Sequence, residues 1–224
     1  MTWFPAADAR IFCAAVNYAA HRDEMGRNEN NAHPMLFLRT PQSLVAGGTP
    51  VVKPAATGRF DYEGELAVII GSGGRHIRRA DAMAHVESYV PFMDGSARDW
   101  QRHTSQYTPG KNFDASGSIG TEPVPAATFG DYRAHRLVTR VNGETVQDTD
   151  IALMIFDIEA LIVYISTFTA LRPGDIIATG TCGGVGDRRT PPLYLNPGDV
   201  VEVDISGLPL LRNPVVAESG ASIA

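Results

Sequence analysis

Apolar residues along this chain gather in short runs separated by turns rich in Gly, Pro, Asn and Asp, a rhythm that predicts strands more often than helices. Residues 11–16, 35–38 and 66–70 read as strands, and 89–93 is a further apolar stretch. In the C-terminal third, segments 137–141 and 144–147 flank Asn142-Gly143, a dipeptide that favours a two-residue hairpin turn because both residues tolerate positive φ. Two Pro-Gly-Asp turns, at 173–175 and 197–199, each introduce a strand rich in β-branched residues, 176–179 and 200–205, and 208–211 follows. Helical spacing is rarer. Residues 80–88 and 96–103 are short candidates, while 157–168 carries Ile158, Leu161, Ile162 and Ile165 on one face behind Asp157 as cap. The polar stretch NYAAHRDEMGRNENNAHP, residues 17–34, has weak helical character over 19–25. So long a connection predicts a mobile lid or a disordered segment.

Strands without regular helical crossovers argue against a doubly wound sheet, so the expected fold class is α+β, mostly β, in a single domain. The chain of 224 residues suffices for one large core. No apolar run approaches the roughly 20 residues that cross a membrane, and the N-terminus has neither the basic nor the apolar region of a secretory leader. Cys13 and Cys182 have no partnered Cys or His spacing, which argues against a zinc site and fits a reducing cytoplasm. A net charge of −6 without a basic run argues against nucleic-acid binding and still allows a local positive pocket.

Chemistry concentrates in a few places. In FDYEGELAVII, Glu63 and Glu65 lie two apart, so on a strand they would share a face, roughly 7 Å apart at the backbone, and could converge on one cation. Asp94, at the end of the apolar stretch 89–93, would complete an all-oxygen set suited to Mg²⁺ or Mn²⁺ rather than Zn²⁺. The alternative is a solvent-facing Glu pair and an Asp that caps the helix after it. Arg98 and Gln101 stand at i and i+3, on one helix face just after Asp94, which is either a solvated face or a pocket wall. Lys111, in the Gly-preceded loop TPGKNFD, reads by itself as a solvent-exposed lysine. His21 and Glu24, also i and i+3, are a surface pair or a histidine whose tautomer is held by a carboxylate. The glycine clusters at 71–74 and 180–186 lack the third glycine of a dinucleotide loop and the Lys-Ser/Thr of a phosphate loop respectively, so nucleotide binding is not expected.

Taken in order, NYAAHRDE, FLRTPQSLV, DYEGELAVIIG, FMDGSARDWQ, GKNFD, VNGETVQ, LRPGDII, GTCGGVG and LNPGDVVEVDISGLPLLRNPV resemble the fumarylacetoacetate hydrolase family in its short single-domain bacterial form, over about residues 17–215. The resemblance implies the mixed β-sandwich or roll of that family's C-terminal domain. It also implies a homodimer, with Glu63, Glu65 and Asp94 as ligands of Mg²⁺ or Mn²⁺, and His21 and Glu24 as a general-base dyad on the lid. Arg98, Gln101, Lys111 and Thr181 would line the pocket of a keto acid substrate, Lys111 with a catalytic share. Arg39 and Arg98 are the candidates to bind the substrate carboxylate, since a guanidinium meets one bidentately, with an ordinary surface charge the equal alternative for Arg39. The implied reaction is hydrolysis of a C–C bond of a 1,3-dicarbonyl compound, an acylpyruvate or fumarylpyruvate-like molecule, through an enolate that the metal stabilises. The same site would serve an oxaloacetate-type decarboxylase or a 2-hydroxymuconate-type isomerase, and a non-catalytic metal-dependent binding protein is the alternative of another class. Two departures bear on substrate identity: Gly95 is expected to enlarge the pocket, and Cys182 to loosen the loop that presents Thr181.

Overall fold

Strand pairing accounts for most of the chain. A computed structural model describes residues 3–26 and 32–219. The strands are β1 Ile11–Ala15, β2 Met35–Arg39, β3 Leu44–Ala46, β4 Val51–Lys53, β5 Phe60–Asp61, β6 Gly64–Ile70, β7 Val86–Met93 and β8 Ser96–Ala97. They continue with β9 Gly117–Ile119, β10 Val124–Pro125, β11 Arg136–Val141, β12 Glu144–Asp150, β13 Ile176–Ala178, β14 Val200–Ile205 and β15 Leu211–Ala217. The helices are α1 Ala19–Glu24, α2 Arg98–Gln101, α3 Thr108–Lys111, α4 Ala126–Phe129 and α5 Ile158–Phe168. An eight-stranded mixed sheet runs in the order β2-β1-β13-β6-β7-β9-β3 with β10 on β7, and a five-stranded sheet runs β12-β11-β14-β15-β4. The class is α+β, mostly β.

Alternation along β6 divides its side chains between two cores. Leu66, Val68 and Ile70 point between the sheets, where Leu137, Val141, Val201, Val203 and Ile205 meet them; Ala67 and Ile69 point to the other face with Val90, Phe92, Ile11 and Cys13. α5 closes the main core with Ile158, Leu161, Ile162 and Ile165, and the Asp157 carboxylate caps it by accepting from the Ala160 N–H at 2.9 Å.

Three local expectations differ from this structure. Segment 80–88 is not a helix: 3₁₀ turns over Arg79–His85 give way to β7, because Val86 onward pairs along β6. The helix expected over 96–103 shrinks to α2, since Ser96 and Ala97 pair with β5 and the Arg98 N–H is drawn to the Arg59 carbonyl. The strand expected over 208–211 starts only at Leu211, after a turn at Gly207 in which the Leu208 N–H returns to Ile205.

Candidate active site

Antiparallel pairing of β6 with β7 sets Glu65 opposite Phe92 and Gly64 opposite Met93, and the Asp94 N–H donates to the Glu63 carbonyl at 2.8 Å. Glu63 thus lies one residue before the strand rather than within it, facing Asp94. Both project to the same side as Glu65. All three carboxylates are buried, and each offers an oxygen within 4.8 Å of the others.

Cations surround them. Lys111, buried at the end of α3, donates to Glu63 Oε2 and Asp94 Oδ2, each at 2.7 Å. Arg98 donates to Glu63 Oε1 at 2.7 Å and, through Nε, to Asp61 at 2.8 Å. Arg39 donates to Asp94, to the Gly95 carbonyl and to Ser43 and Ser116. Three cations therefore match Asp61, Glu63 and Asp94, and Glu65 is left over. Burial, then the negative charges of Asp94 and Glu63, push its carboxyl well above the usual carboxylate range, against the Gly180 N–H that donates to it at 2.9 Å. Glu63 goes the other way. Burial opposes its ionisation, but Lys111 and Arg98 prevail and hold its carboxyl well below the usual range. A fourth buried carboxylate without a cation, in an all-oxygen cluster, fits a divalent ion of the Mg²⁺ or Mn²⁺ kind.

A pocket enclosing about 360 Å³, its open mouth included, brings Glu63 together with His21, Arg98, Gln101, Lys111 and Thr181. α1 carries His21 into it. The His21 Nδ1 lies 3.4 Å from Glu24 Oε2, and the other carboxylate oxygen of Glu24 accepts from the Gly184 N–H at 2.6 Å. Gln101 accepts from Arg98 Nη1 at 3.0 Å, which leaves its amide N–H groups to donate. Arg98 Nη2 is buried with no hydrogen-bond partner among the described residues. The Thr181 hydroxyl lines the pocket but is spent within the protein, donating to the Gly64 carbonyl at 3.0 Å and accepting from Gln147 at 2.7 Å.

Several expectations are corrected. Arg39 is neither a surface charge nor open to a substrate carboxylate: it is fully buried and bonded to protein acceptors, and it serves to hold Asp94. Lys111 is not an exposed loop residue. Gly95 does not enlarge the pocket, because a Cβ there would lie 1.8 Å from the Ser116 carbonyl, which fills that space. Cys182 does not loosen its loop: its carbonyl is held by Gln147, its neighbours by Glu65, Gly64 and Glu24, and burial pushes its thiol up to about 12. Of the expected lid over 17–34, the start is anchored. The Asn17 side chain donates to the Phe156 and Thr179 carbonyls and accepts from the Phe156 N–H, and Tyr18 is buried against Met154. Residues 27–31 lie outside the described residues.

Two residues that sequence reasoning passed over complete the frame. Asp61 accepts from Arg98 and from the N–H groups of Tyr62, Gly186 and Asp187, so it ties the pocket wall to the glycine-rich loop. Gln147 links that loop to β6. Asp61 stood beside the Glu pair in the same motif, but nothing local to FDYEGEL distinguishes a buried acid from an exposed one.

The profile of the fumarylacetoacetate (FAA) hydrolase C-terminal domain matches residues 10–216. The mitochondrial oxaloacetate tautomerase Fahd2a of Rattus norvegicus is 39% identical over 209 residues, covering 92% of this chain and 66% of that protein. The chain thus spans just under two thirds of that relative's length. The oxaloacetate tautomerase YisK of Bacillus subtilis is 38% identical over 94% of this chain and 71% of its own length. Among solved structures, the fumarylpyruvate hydrolase of Pseudomonas aeruginosa in complex with Mn²⁺ and pyruvate superposes with a TM-score of 0.84 at 35% identity, covering 93% of this chain and 90% of that one.

Proposed function

Because this chain belongs to the fumarylacetoacetate hydrolase family, we propose that it is a metal-dependent hydrolase that cleaves the C–C bond of an acylpyruvate-like keto acid. The observation that carries this reading is one pocket that holds buried His21, 3.4 Å from half-buried Glu24, together with Glu63 of a carboxylate cluster short of one cation. Mg²⁺ or Mn²⁺ held by Glu63, Glu65 and Asp94 would supply Lewis-acid polarisation of the substrate oxygens. The rest is work for the chain's own side chains.

Glu24 can only accept, so the proton of His21 sits on Nδ1 and leaves the Nε2 lone pair free to take a proton from water. The water oxygen then bonds to the acyl carbon, the C–C bond breaks, and its electron pair departs on the leaving carbon as an enolate. The proton that His21 removed is the one returned to that carbon, so the histidine ends as it began. Lys111 and the free amide of Gln101 stabilise the developing oxyanion. Arg98, which lines the pocket and whose Nη2 has no hydrogen-bond partner among the described residues, is the group for the keto acid carboxylate.

A second reading has the 38–39% identity to oxaloacetate tautomerases behind it. Keto–enol exchange of oxaloacetate, like its decarboxylation or the isomerisation of a muconate-like dienoate, uses the metal and proton transfer without attack by water. A pure binding protein would need no His21–Glu24 pair. Steady-state assays of the Mn²⁺-loaded protein on acylpyruvates and on oxaloacetate separate these. We expect acylpyruvate cleavage, a fall of about 10²-fold or more in His21→Ala, the contribution of a placed general base, and Mn²⁺ affinity unchanged in that variant. Turnover of oxaloacetate without any of acylpyruvates would replace the first reading by the second.

A further inference from the structure

Gly64 stands between Glu63 and Glu65, and both of its backbone groups are taken. Its N–H donates to Gln147 Oε1 at 2.9 Å and its carbonyl accepts from the Thr181 hydroxyl at 3.0 Å. Gln147 closes the ring, since its Nε2 donates to Thr181 Oγ1 at 2.7 Å and to the Cys182 carbonyl at 3.1 Å. The amide is buried, so no water competes for these bonds. The loop it grips carries on its backbone the donors that hold two site carboxylates, Gly180 for Glu65 and Gly184 for Glu24.

Gln147 owes its place to the register of a hairpin in the opposite sheet. A bulge between Thr139 and Arg140 in the β11–β12 pairing leaves Thr139 directly across from Gln147. Both then face Gly64. A Cβ on Gly64 would lie 2.1 Å from Thr139 Oγ1, so the hairpin seats against a residue that has no side chain. The neighbouring Val146 carbonyl approaches Gly184 as closely: a Cβ there would lie 2.2 Å away. One short segment of β12 therefore touches both the Glu-Gly-Glu turn and the loop behind it.

We propose that Gln147 is a positioning residue that sets the spacing of Glu63 and Glu65 and, through the loop over 180–184, the placement of Glu24. It touches neither metal nor substrate, and the inference rests on the metal assignment above. Its test uses Mn²⁺ alone as probe. Gln147→Leu and Gln147→Met keep the bulk of the side chain and remove its bonds. Calorimetric titration of the metal-free proteins should give an Mn²⁺ dissociation constant about 10–100-fold weaker than wild type, with unchanged circular dichroism. Thr181→Val breaks the same ring at another point, so the double variant Gln147→Leu/Thr181→Val should lose less than the product of the two single losses. If the variants melt earlier yet bind Mn²⁺ as wild type does, or if neither retains the fold, Gln147 supports the whole fold rather than the site and the proposal is overturned. A wild-type protein that takes up no Mn²⁺ would remove the metal assignment itself, and this inference with it.

Discussion

Glu65 carries the most testable charge in the molecule. Its carboxyl is buried beside Asp94 and Glu63 with no cation of its own among the described residues, and it is held well above the usual range. Glu65→Gln replaces a group already disposed to be neutral by a neutral one of the same shape, whose amide oxygen still accepts from Gly180. Without metal this variant should melt at or above the wild-type temperature. In the wild type, Mn²⁺ at a hundred times its dissociation constant should add about 2.7 kcal/mol of stability. The variant should gain almost none. Thermal melts of both proteins with and without MnCl₂ check this; a variant that melts several degrees lower and still responds to Mn²⁺ would refute it.

At the level of elements, the short turn Gly186–Arg188 is a hub that joins the segment around Arg59–Asp61, the end of α2 and Tyr194. Asp187 accepts from Arg59 at 2.6 Å, from Tyr194 at 2.8 Å and from Arg102 just beyond α2, while its N–H donates to Asp61. Burial opposes its ionisation, but Tyr194, Arg102 and Arg59 prevail and bring its carboxyl from 3.8 down to about 2. A carboxylate whose folded pKa is depressed stabilises the fold above its unfolded pKa, and loses that contribution as pH falls through the folded one. The window is about pH 4 to pH 2. Urea midpoints at pH 6 and pH 3 should therefore differ more for the wild type than for Asp187→Asn. Equal differences would show that the hub contributes nothing through its charge. The variant should also be less stable at pH 6, because three donors face a weaker acceptor.

For the whole molecule, charge and association matter together. The chain carries a formal net charge of −6, and Arg98 and Lys111 in the pocket wall are already paired with Asp61, Glu63 and Asp94, so the pocket by itself adds no positive excess to the global field. No helix among the described residues is long and apolar enough to cross a membrane. Leu38, Leu153, Phe168 and Leu210 are large apolar side chains left more than half exposed. We propose that the protein is a homodimer that covers part of this surface. Light scattering should then give a mass near twice 24.1 kDa, and a particle of 24.1 kDa across the micromolar range would sink the idea.

Local pattern determined a good deal here. Alternation and turn chemistry marked the strands at 35–38, 66–70 and 200–205, the Asn142-Gly143 hairpin and the capped helix after Asp157, and the carboxylates of FDYEGEL and FMDG pointed to one cluster. These features depend on neighbours a few residues away, which periodicity and caps report. Tertiary structure alone decided the rest. Arg39 reaches Asp94 across 55 positions, Lys111 reaches Glu63 across 48, and Gln147 reaches Gly64 across 83. A charged or amide side chain reads as exposed in its own segment whether or not a distant partner will bury it. Its burial is favourable only once that partner's opposite charge or hydrogen bond is in place, and that is a property of the folded chain. For the same reason Gly95 read as spare room in the pocket and proved to be the seat of the Ser116 carbonyl.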